Sequence, residues 1–171
     1  MSKIISVNSG SSSLKFQLFD MPSETVLTSG QAERIGQDMG VFTIKIDGDK
    51  KVKELPIPDH KVAVKLLLDS LLEYGIVKSL DEIQGAGHRI VQGGAYFDQS
   101  VVVDDSVVDR VRELSELAPL HNPAHLVCYE AFKNALPSIG HVFVFDTAFH
   151  QTMGPESYLF PVPYDWYTQY K

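Results

Sequence analysis

The sequence predicts an α/β domain whose mixed sheet starts with an antiparallel strand meander and is flanked by helices. Residues 1–55 contain consecutive strand-like segments joined by short turns, whereas parallel strands would need longer crossovers. After Pro58 the apolar residues recur at helical spacing, and two further strand-like segments interrupt that pattern. No internal repeat and no low-complexity linker divides the 171 residues, which indicates a single domain.

The strands of the meander are predicted from alternation and from β-branched or aromatic content. Leu14, Phe16 and Leu18 alternate with polar residues, which is typical of a half-buried strand. Asp47-Gly48 is typical of a hairpin turn. The predicted strands are residues 4–7, 14–20, 25–33 and 41–46, followed by the segment KVKELPI.

Helices and strands then follow one another. The expected order is a helix between Asp59 as cap and Gly75 as stop, a buried strand at 83–91, a helix at 105–118, a helix from Asn122-Pro123 to Ala135, and an apolar strand at 141–145. Pro163 precedes a last helical turn, which is either a frayed terminus or a sign that a longer chain continues there.

Composition excludes several classes of function. Acidic residues number 22 and basic residues 15, and this net charge of −7 argues against nucleic-acid binding but not against a nucleotide ligand. The single cysteine, Cys128, excludes an internal disulfide framework and suits a reducing compartment. The sequence has neither an apolar run long enough to span a bilayer nor a secretory signal. We therefore expect a cytoplasmic protein without a membrane partner.

The segment NSGSSSLK at residues 8–15 is the strongest local signal. Its backbone N–H groups and serine hydroxyls can face phosphate oxygens, and Lys15 adds a positive charge. It differs from a P-loop because a strand, not a helix, follows it. The alternative is an ordinary serine-rich hairpin turn.

Three other segments carry candidate site residues. In GAGHRIVQGG, Arg89 can bind a small anion through its planar fork, or it can form a structural ion pair, while His88 is expected to be a packed histidine. In VFVFDTAFHQ, Asp146 follows an apolar strand, where it can hold magnesium through water, act as a base or cap a turn. In LAPLHNPAH, His121 is the candidate, and Asn122, Pro123 and His125 are assigned to the helix start.

Taken in order, NSGSSSLK, GHRIVQGG, LAPLHNPAHL and VFDTAFHQTM resemble the motifs of the acetate kinase family over essentially the whole chain. The resemblance implies the actin-like ATPase fold, which is related to ribonuclease H. It also implies reversible phosphoryl transfer from ATP to acetate with Mg²⁺, giving acetyl phosphate and ADP. Because acetate is already ionised at pH 7, the forward reaction needs no general base, and an orienting or metal-water role is expected of Asp146 first.

The resemblance also implies roles for individual residues. Asn8 resembles the magnesium ligand and Arg89 the residue that binds the substrate carboxylate. Matching positions imply an ATP-phosphate contact for Lys15, a place in the phosphate hairpin for Ser11 and Ser13, a methyl pocket near Val91 and Leu120, and catalytic positions for His121 and Asp146.

Two departures from the family pattern accompany these matches. Gln92 stands where the family usually has histidine, and a glutamine cannot become cationic. Full-length members are longer, so residues 1–171 are expected to be the N-terminal acetate-binding and phosphate-hairpin domain of a two-domain kinase, inactive alone, whose full-length parent is a homodimer. The alternatives are a propionate or butyrate kinase of the same superfamily and a non-catalytic actin-like nucleotide-binding module.

Overall fold

The computed structural model describes residues 2–170 and has one eight-stranded sheet as its centre. The strands lie in the order β5-β4-β3-β2-β1-β6-β8-β7. Their bounds are β1 Ser2–Ser9, β2 Ser13–Met21, β3 Thr25–Glu33, β4 Gly40–Ile46, β5 Asp49–Leu55, β6 Ile83–Ile90, β7 Val101–Val102 and β8 Gly140–Phe145. Helices α1 to α5 are His60–Glu73, Asp105–Glu113, Asn122–Ala135, Pro155–Tyr158 and Tyr164–Tyr170, and 3₁₀ turns cover Leu80–Glu82, Leu114–Glu116 and Asp146–His150.

The strand pairing confirms the mixed sheet that starts with an antiparallel meander. Each strand from β1 to β4 pairs antiparallel with the next, whereas β6 runs parallel to both β1 and β8. This arrangement brings the carboxyl ends of β1, β6 and β8 to one edge of the sheet, where α/β folds place their ligands. The edge strand β7 is not among the predicted strands, because two residues are too few to produce an alternating pattern.

Sequence signals for the helix ends agree with the structure in α1 and differ in α2 and α3. The Asp59 carboxylate caps α1 by accepting a 2.9 Å hydrogen bond from the Val62 amide, as the sequence predicts. The predicted helix at 105–118 is α-helical only to Glu113, and a 3₁₀ turn continues it. The prediction that Asn122 caps α3 is wrong, because the N-cap is His121 and the Asn122 side chain bonds elsewhere.

Helices α1, α2 and α3 cover one face of the sheet. Helix α3 packs on β1 and β6 and also contacts α1 and α2. Side chains of the opposite face stay accessible, and Lys15, Arg89 and Val144 are exposed there. The expectation that residues 83–91 form a buried strand is therefore wrong: β6 alternates, with Ala86, His88 and Ile90 buried beneath the helices.

Between residues 2 and 170, no helix combines the length and apolar character that crossing a membrane requires.

Candidate functional site

The β1–β2 hairpin brings two of the predicted site residues opposite each other. Asn8 and Lys15 are cross-strand partners, and both are exposed on the open face of the sheet. The Gly10 amide donates a 2.8 Å hydrogen bond to the Ser13 carbonyl, which closes the turn. Ser11 is exposed at the tip and Ser13 is half-buried. The hairpin therefore presents an amide and an ammonium group side by side on the open face, and the serine-rich turn lies at its tip.

Two buried histidines, one in α1 and one in α3, form hydrogen bonds to this hairpin. His60, at the start of α1, donates a 2.8 Å hydrogen bond from Nε2 to the Gly10 carbonyl. His125 in α3 places Nδ1 3.3 Å from the hydroxyl of Ser9. Burial, and then the positive charges of Arg89 and His121, lower the pKa of His125 to about 4. The assignment of His125 to the helix start alone is wrong, since its ring contacts the hairpin.

Arg89 and Asp146 converge at the edge of the sheet, although they lie 57 residues apart in the sequence. The Arg89 Nε lies 2.9 Å from Oδ1 of Asp146, and Nη2 lies 2.5 Å from Oδ2. Nη1 donates to Oδ1 of Asn8 at 3.2 Å, which links the pair to the hairpin. The hydrogen bonds that Arg89 donates to the Asp146 carboxylate raise the pKa of Arg89 above its ordinary value, so the guanidinium stays charged. The carboxylate binds Arg89 and does not cap the 3₁₀ turn that follows.

The ion-pair interpretation of Arg89 is thus correct, and it does not exclude anion binding. A guanidinium has five N–H donors, and the bonds to Asp146 and Asn8 use one each on Nε, Nη1 and Nη2. Two N–H groups remain for a further acceptor. The side chains of Arg89 and Asp146 are 44% and 41% exposed, so a small anion can reach them.

The other predicted residues differ in burial. His121 is exposed at the N-cap of α3, and its ring lies 6.5 Å from that of His125 at an angle of 22°. Val91 is half-buried just after β6, and Leu120 is 77% exposed before α3. Gln92 accepts a 2.8 Å hydrogen bond from the Gly94 amide through Oε1, which is a role that needs no positive charge.

A groove of about 620 Å³ crosses the open face from Arg89 toward β4 and β5. Four basic side chains line it, and no carboxylate belongs to its lining. They are Lys15, Lys45, Lys50 and Arg89, and the strands between them contribute amide and hydroxyl groups. In a chain with a net charge of −7, this concentration of positive charge indicates a site for an anion. Of the predicted site residues, those outside the groove lining are Ser11, Ser13, Val91, Leu120, His121 and Asp146.

Known proteins match nearly the whole chain. The acetate kinase of Geobacillus sp. (strain WCH70) is 56% identical over 170 residues, which are 99% of this chain and 43% of that protein. The crystal structure of Porphyromonas gingivalis acetate kinase matches with a TM-score of 0.94 and 41% identity, covering 99% of this chain and 43% of that one. A propionate kinase from Francisella tularensis subsp. tularensis SCHU S4 matches with a TM-score of 0.92 and 36% identity over the same shares.

These structural matches confirm the predicted α/β fold. The chain spans less than half the length of the relatives that it matches. The model of the acetokinase family matches residues 3–171 and so includes the hairpin, the Arg89–Asp146 pair and α3. The chain therefore belongs to the acetokinase family.

Proposed function

We propose that the protein to which this chain belongs is an acetate kinase, which transfers a phosphoryl group reversibly between ATP and acetate. One observation carries the proposal: Arg89, oriented by Asp146 and Asn8, keeps two donors free beside Lys15 at the sheet edge. A carboxylate matches the planar donors of a guanidinium, and a phosphate matches the point charge of a lysine. Relatives named acetate kinase that are 55–58% identical support this pairing of ligands.

In the proposed reaction, Arg89 binds the acetate carboxylate and Lys15 contacts the phosphate that is transferred. Phosphoryl transfer depends mainly on holding the attacking and leaving oxygens in line and on stabilising the negative charge of the transferred group. Acetate is already ionised at pH 7, so Asp146 need not remove a proton from it. Its two oxygens bind Arg89, which favours an orienting role for Asp146. His121 is exposed at the N-cap of α3, and the resemblance assigns it a catalytic position.

Residues of this chain fit Mg²⁺ only as part of a site. Among residues 2–170 there is no group of three or more His, Cys, Asp or Glu side chains that could hold a metal. Asn8 and Asp146 offer oxygen atoms, the ligands that Mg²⁺ prefers, but both already accept hydrogen bonds from Arg89. They could instead accept hydrogen bonds from water ligands of a Mg²⁺ ion bound to the phosphates of ATP. Bound Mg²⁺ supplies charge neutralisation on those phosphates.

The remaining assignments from the resemblance are part of the same proposal. Ser11 and Ser13 would contribute hydroxyls near the phosphates, and Val91 and Leu120 would lie near the methyl group of acetate. Residues 1–171 would form the acetate-binding domain, with adenosine bound by the part of the kinase that the chain does not include. A cytoplasmic homodimer is the proposed form of the whole protein, and light scattering measures its mass.

A propionate kinase is the second candidate, because a structure with that name matches with a TM-score of 0.92. An ADP-coupled assay of the complete protein with acetate, propionate and butyrate separates the candidates. We expect the highest kcat/KM with acetate. One methylene changes such a preference by only about 10–200-fold, so all three acids are needed. Preference for propionate would establish the second candidate, and no turnover with any acid would favour a non-catalytic nucleotide-binding module.

A further inference from the structure

The loop at residues 91–94, directly after β6, is held by a fully buried asparagine of α3. Asn122 has no exposed surface. Its Oδ1 accepts a 3.2 Å hydrogen bond from the Gln92 amide, and its Nδ2 donates to the Gln92 carbonyl at 3.0 Å. Nδ2 also lies 3.4 Å from the Val111 carbonyl. A single side chain thereby pairs with both backbone groups of Gln92, as a neighbouring strand would.

Only an amide side chain supplies this combination of acceptor and donor. A carboxylate would face two carbonyl oxygens without a proton to donate, and an apolar residue would leave buried backbone groups unpaired. Because Asn122 follows His121 directly, its bonds join the N-cap of α3 to the end of the strand that carries Arg89.

The same loop is attached on its other side to the turn that begins with Asp146. The Gly93 amide donates a 2.9 Å hydrogen bond to the hydroxyl of Thr147. Gln151 donates from Nε2 to the Gly94 carbonyl, also at 2.9 Å. The loop is thus bonded to the two segments that carry His121 and Asp146, and it continues directly from the strand that carries Arg89.

We propose that Asn122 is a positioning residue of the anion site. It fixes the loop after β6 and so keeps Arg89, Asp146 and His121 in one relative geometry. The inference rests on the proposed function in one respect, namely that the anion bound by Arg89 is the acetate substrate. Displacing a reacting group by about 1 Å lowers rates by about 10²-fold, even when the mutation is far from the chemistry.

The structure also indicates for which substrate the kinetics should change when the Asn122 amide is lost. Lys15 belongs to the hairpin, which is held by His60 and His125 and has no hydrogen bond to Asn122. Loss of the Asn122 amide should therefore weaken the use of acetate and leave the use of ATP intact. A residue that only stabilises the fold would show no such split.

The test is Asn122→Ala in the complete protein, measured by ADP-coupled kinetics. We expect kcat/KM for acetate to fall by about 10²-fold, with an unchanged KM for ATP. Leu126→Ala is the matched control, because Leu126 is buried in the same helix but offers no hydrogen bond to the loop. It should lower Tm and leave the KM for acetate unchanged. If Asn122→Ala does not fold, Thr147→Val replaces it, since it removes only the acceptor of the Gly93 amide.

Equal effects on both substrates, or a matching acetate defect in Leu126→Ala, would overturn the positioning role. A wild-type protein that fails to phosphorylate acetate would overturn the proposed function instead. The role of Asn122 is then decided by amide hydrogen exchange at Gln92 and Gly93. Faster exchange at these amides in Asn122→Ala than in Leu126→Ala supports it, and equal exchange in the two variants refutes it.

Discussion

Arg89 shows how one side chain can serve both a structural and a binding purpose. Its bonds to Asp146 and Asn8 tie together β6, the 3₁₀ turn after β8 and the β1–β2 hairpin, three segments that are distant in sequence. The same bonds restrict the rotamers of a long side chain, so less conformational entropy is lost when an anion binds. The two interpretations that the sequence leaves open for Arg89 are therefore compatible.

Replacing Arg89 should impair the use of acetate specifically. For Arg89→Ala in the complete protein we expect kcat/KM for acetate to fall by about 30-fold, or about 2 kcal/mol, the lower end of the range for charged pairs. The lower end applies because the side chain is 44% exposed. Arg89→Lys should recover only part of the loss, since an ammonium group lacks the planar fork.

The control for this prediction is Arg110→Ala, which removes an exposed arginine paired with Glu113 on α2. Steady-state kinetics at varied acetate should be unchanged in that variant. Acetate kinetics that are also unchanged in Arg89→Ala would remove Arg89 from the substrate site.

Buried histidines should make stability depend on pH. Burial first, and then the neighbouring His141, lower the pKa of His88 to about 3 from an ordinary value of 6.5. Between these values the unfolded chain binds a proton that the folded chain does not, so stability falls as the pH drops below about 6.5. Each such histidine contributes a slope of about 1.4 kcal/mol per pH unit.

Urea unfolding between about pH 7 and pH 5 measures this slope. We expect His88→Gln to have a shallower slope than the wild type, with a difference that reaches about 1.4 kcal/mol per pH unit near pH 5. His150→Gln removes an exposed histidine and should leave the slope unchanged. A slope in His88→Gln equal to that of the wild type would contradict the prediction.

At the level of elements, the sequence predicts those features that depend on neighbouring residues, such as strand alternation and turns. Alternation and the Asp47-Gly48 turn predicted the meander, and the predicted bounds of β3 at 25–33 agree with the structure. Burial of β6 was predicted wrongly because glycines and apolar residues hide its alternation, and because one face of the sheet carries no helix among the described residues.

The candidate site was predictable only where its residues carry a distinctive motif. The serine-rich hairpin, Arg89 and Asp146 could be selected from the sequence, and the structure brings Arg89, Asp146 and Asn8 together. His60, His125 and Asn122 could not be selected, because their partners lie 50, 116 and 30 residues away. A buried polar residue next to a helix start has the same local pattern as a cap.

Gly93 and Gly94 lie in the loop after β6, and the structure shows why side chains would not fit there. Gly94 has φ +56°, and a Cβ there would meet the Leu114 side chain at 2.5 Å. A Cβ at Gly93 would meet Phe145 at 2.9 Å and Thr147 at 3.0 Å. Close approach between the loop and its surroundings therefore requires glycine at both positions.

We expect Gly94→Ala to lower the free energy of unfolding by about 1–3 kcal/mol, through both backbone strain and the contact with Leu114. Gly48→Ala is the matched control, because Gly48 has φ +90° but no atom within 4 Å of a built Cβ. It should cost only the strain, about 1 kcal/mol. Denaturant unfolding of both variants makes the comparison, and equal losses would show that the contact with Leu114 is relieved without cost.

For the whole molecule, the distribution of charge matters more than its sum. The chain has a net charge of −7, yet the groove on its open face is lined by four basic residues and no acidic one. The summed field repels anions at a distance, and the local field attracts them at the groove. Anion binding should therefore be selective for this face of the sheet. The net charge alone could not locate such a site.

Residues 1–171 should fold as an isolated polypeptide but should not catalyse the proposed reaction. The sheet and helices α1 to α3 enclose two clusters of buried apolar residues, so we expect this polypeptide to fold cooperatively. Phosphoryl transfer requires both substrates to be held in line, and this chain covers only 43% of its relatives. We therefore expect no detectable acetate kinase activity and weak binding of ATP. Circular dichroism on heating tests folding, and an ADP-coupled assay beside the complete protein tests activity. Turnover within about tenfold of the complete protein, a difference of about 1.4 kcal/mol in barrier, would mean that these residues hold both substrates on their own.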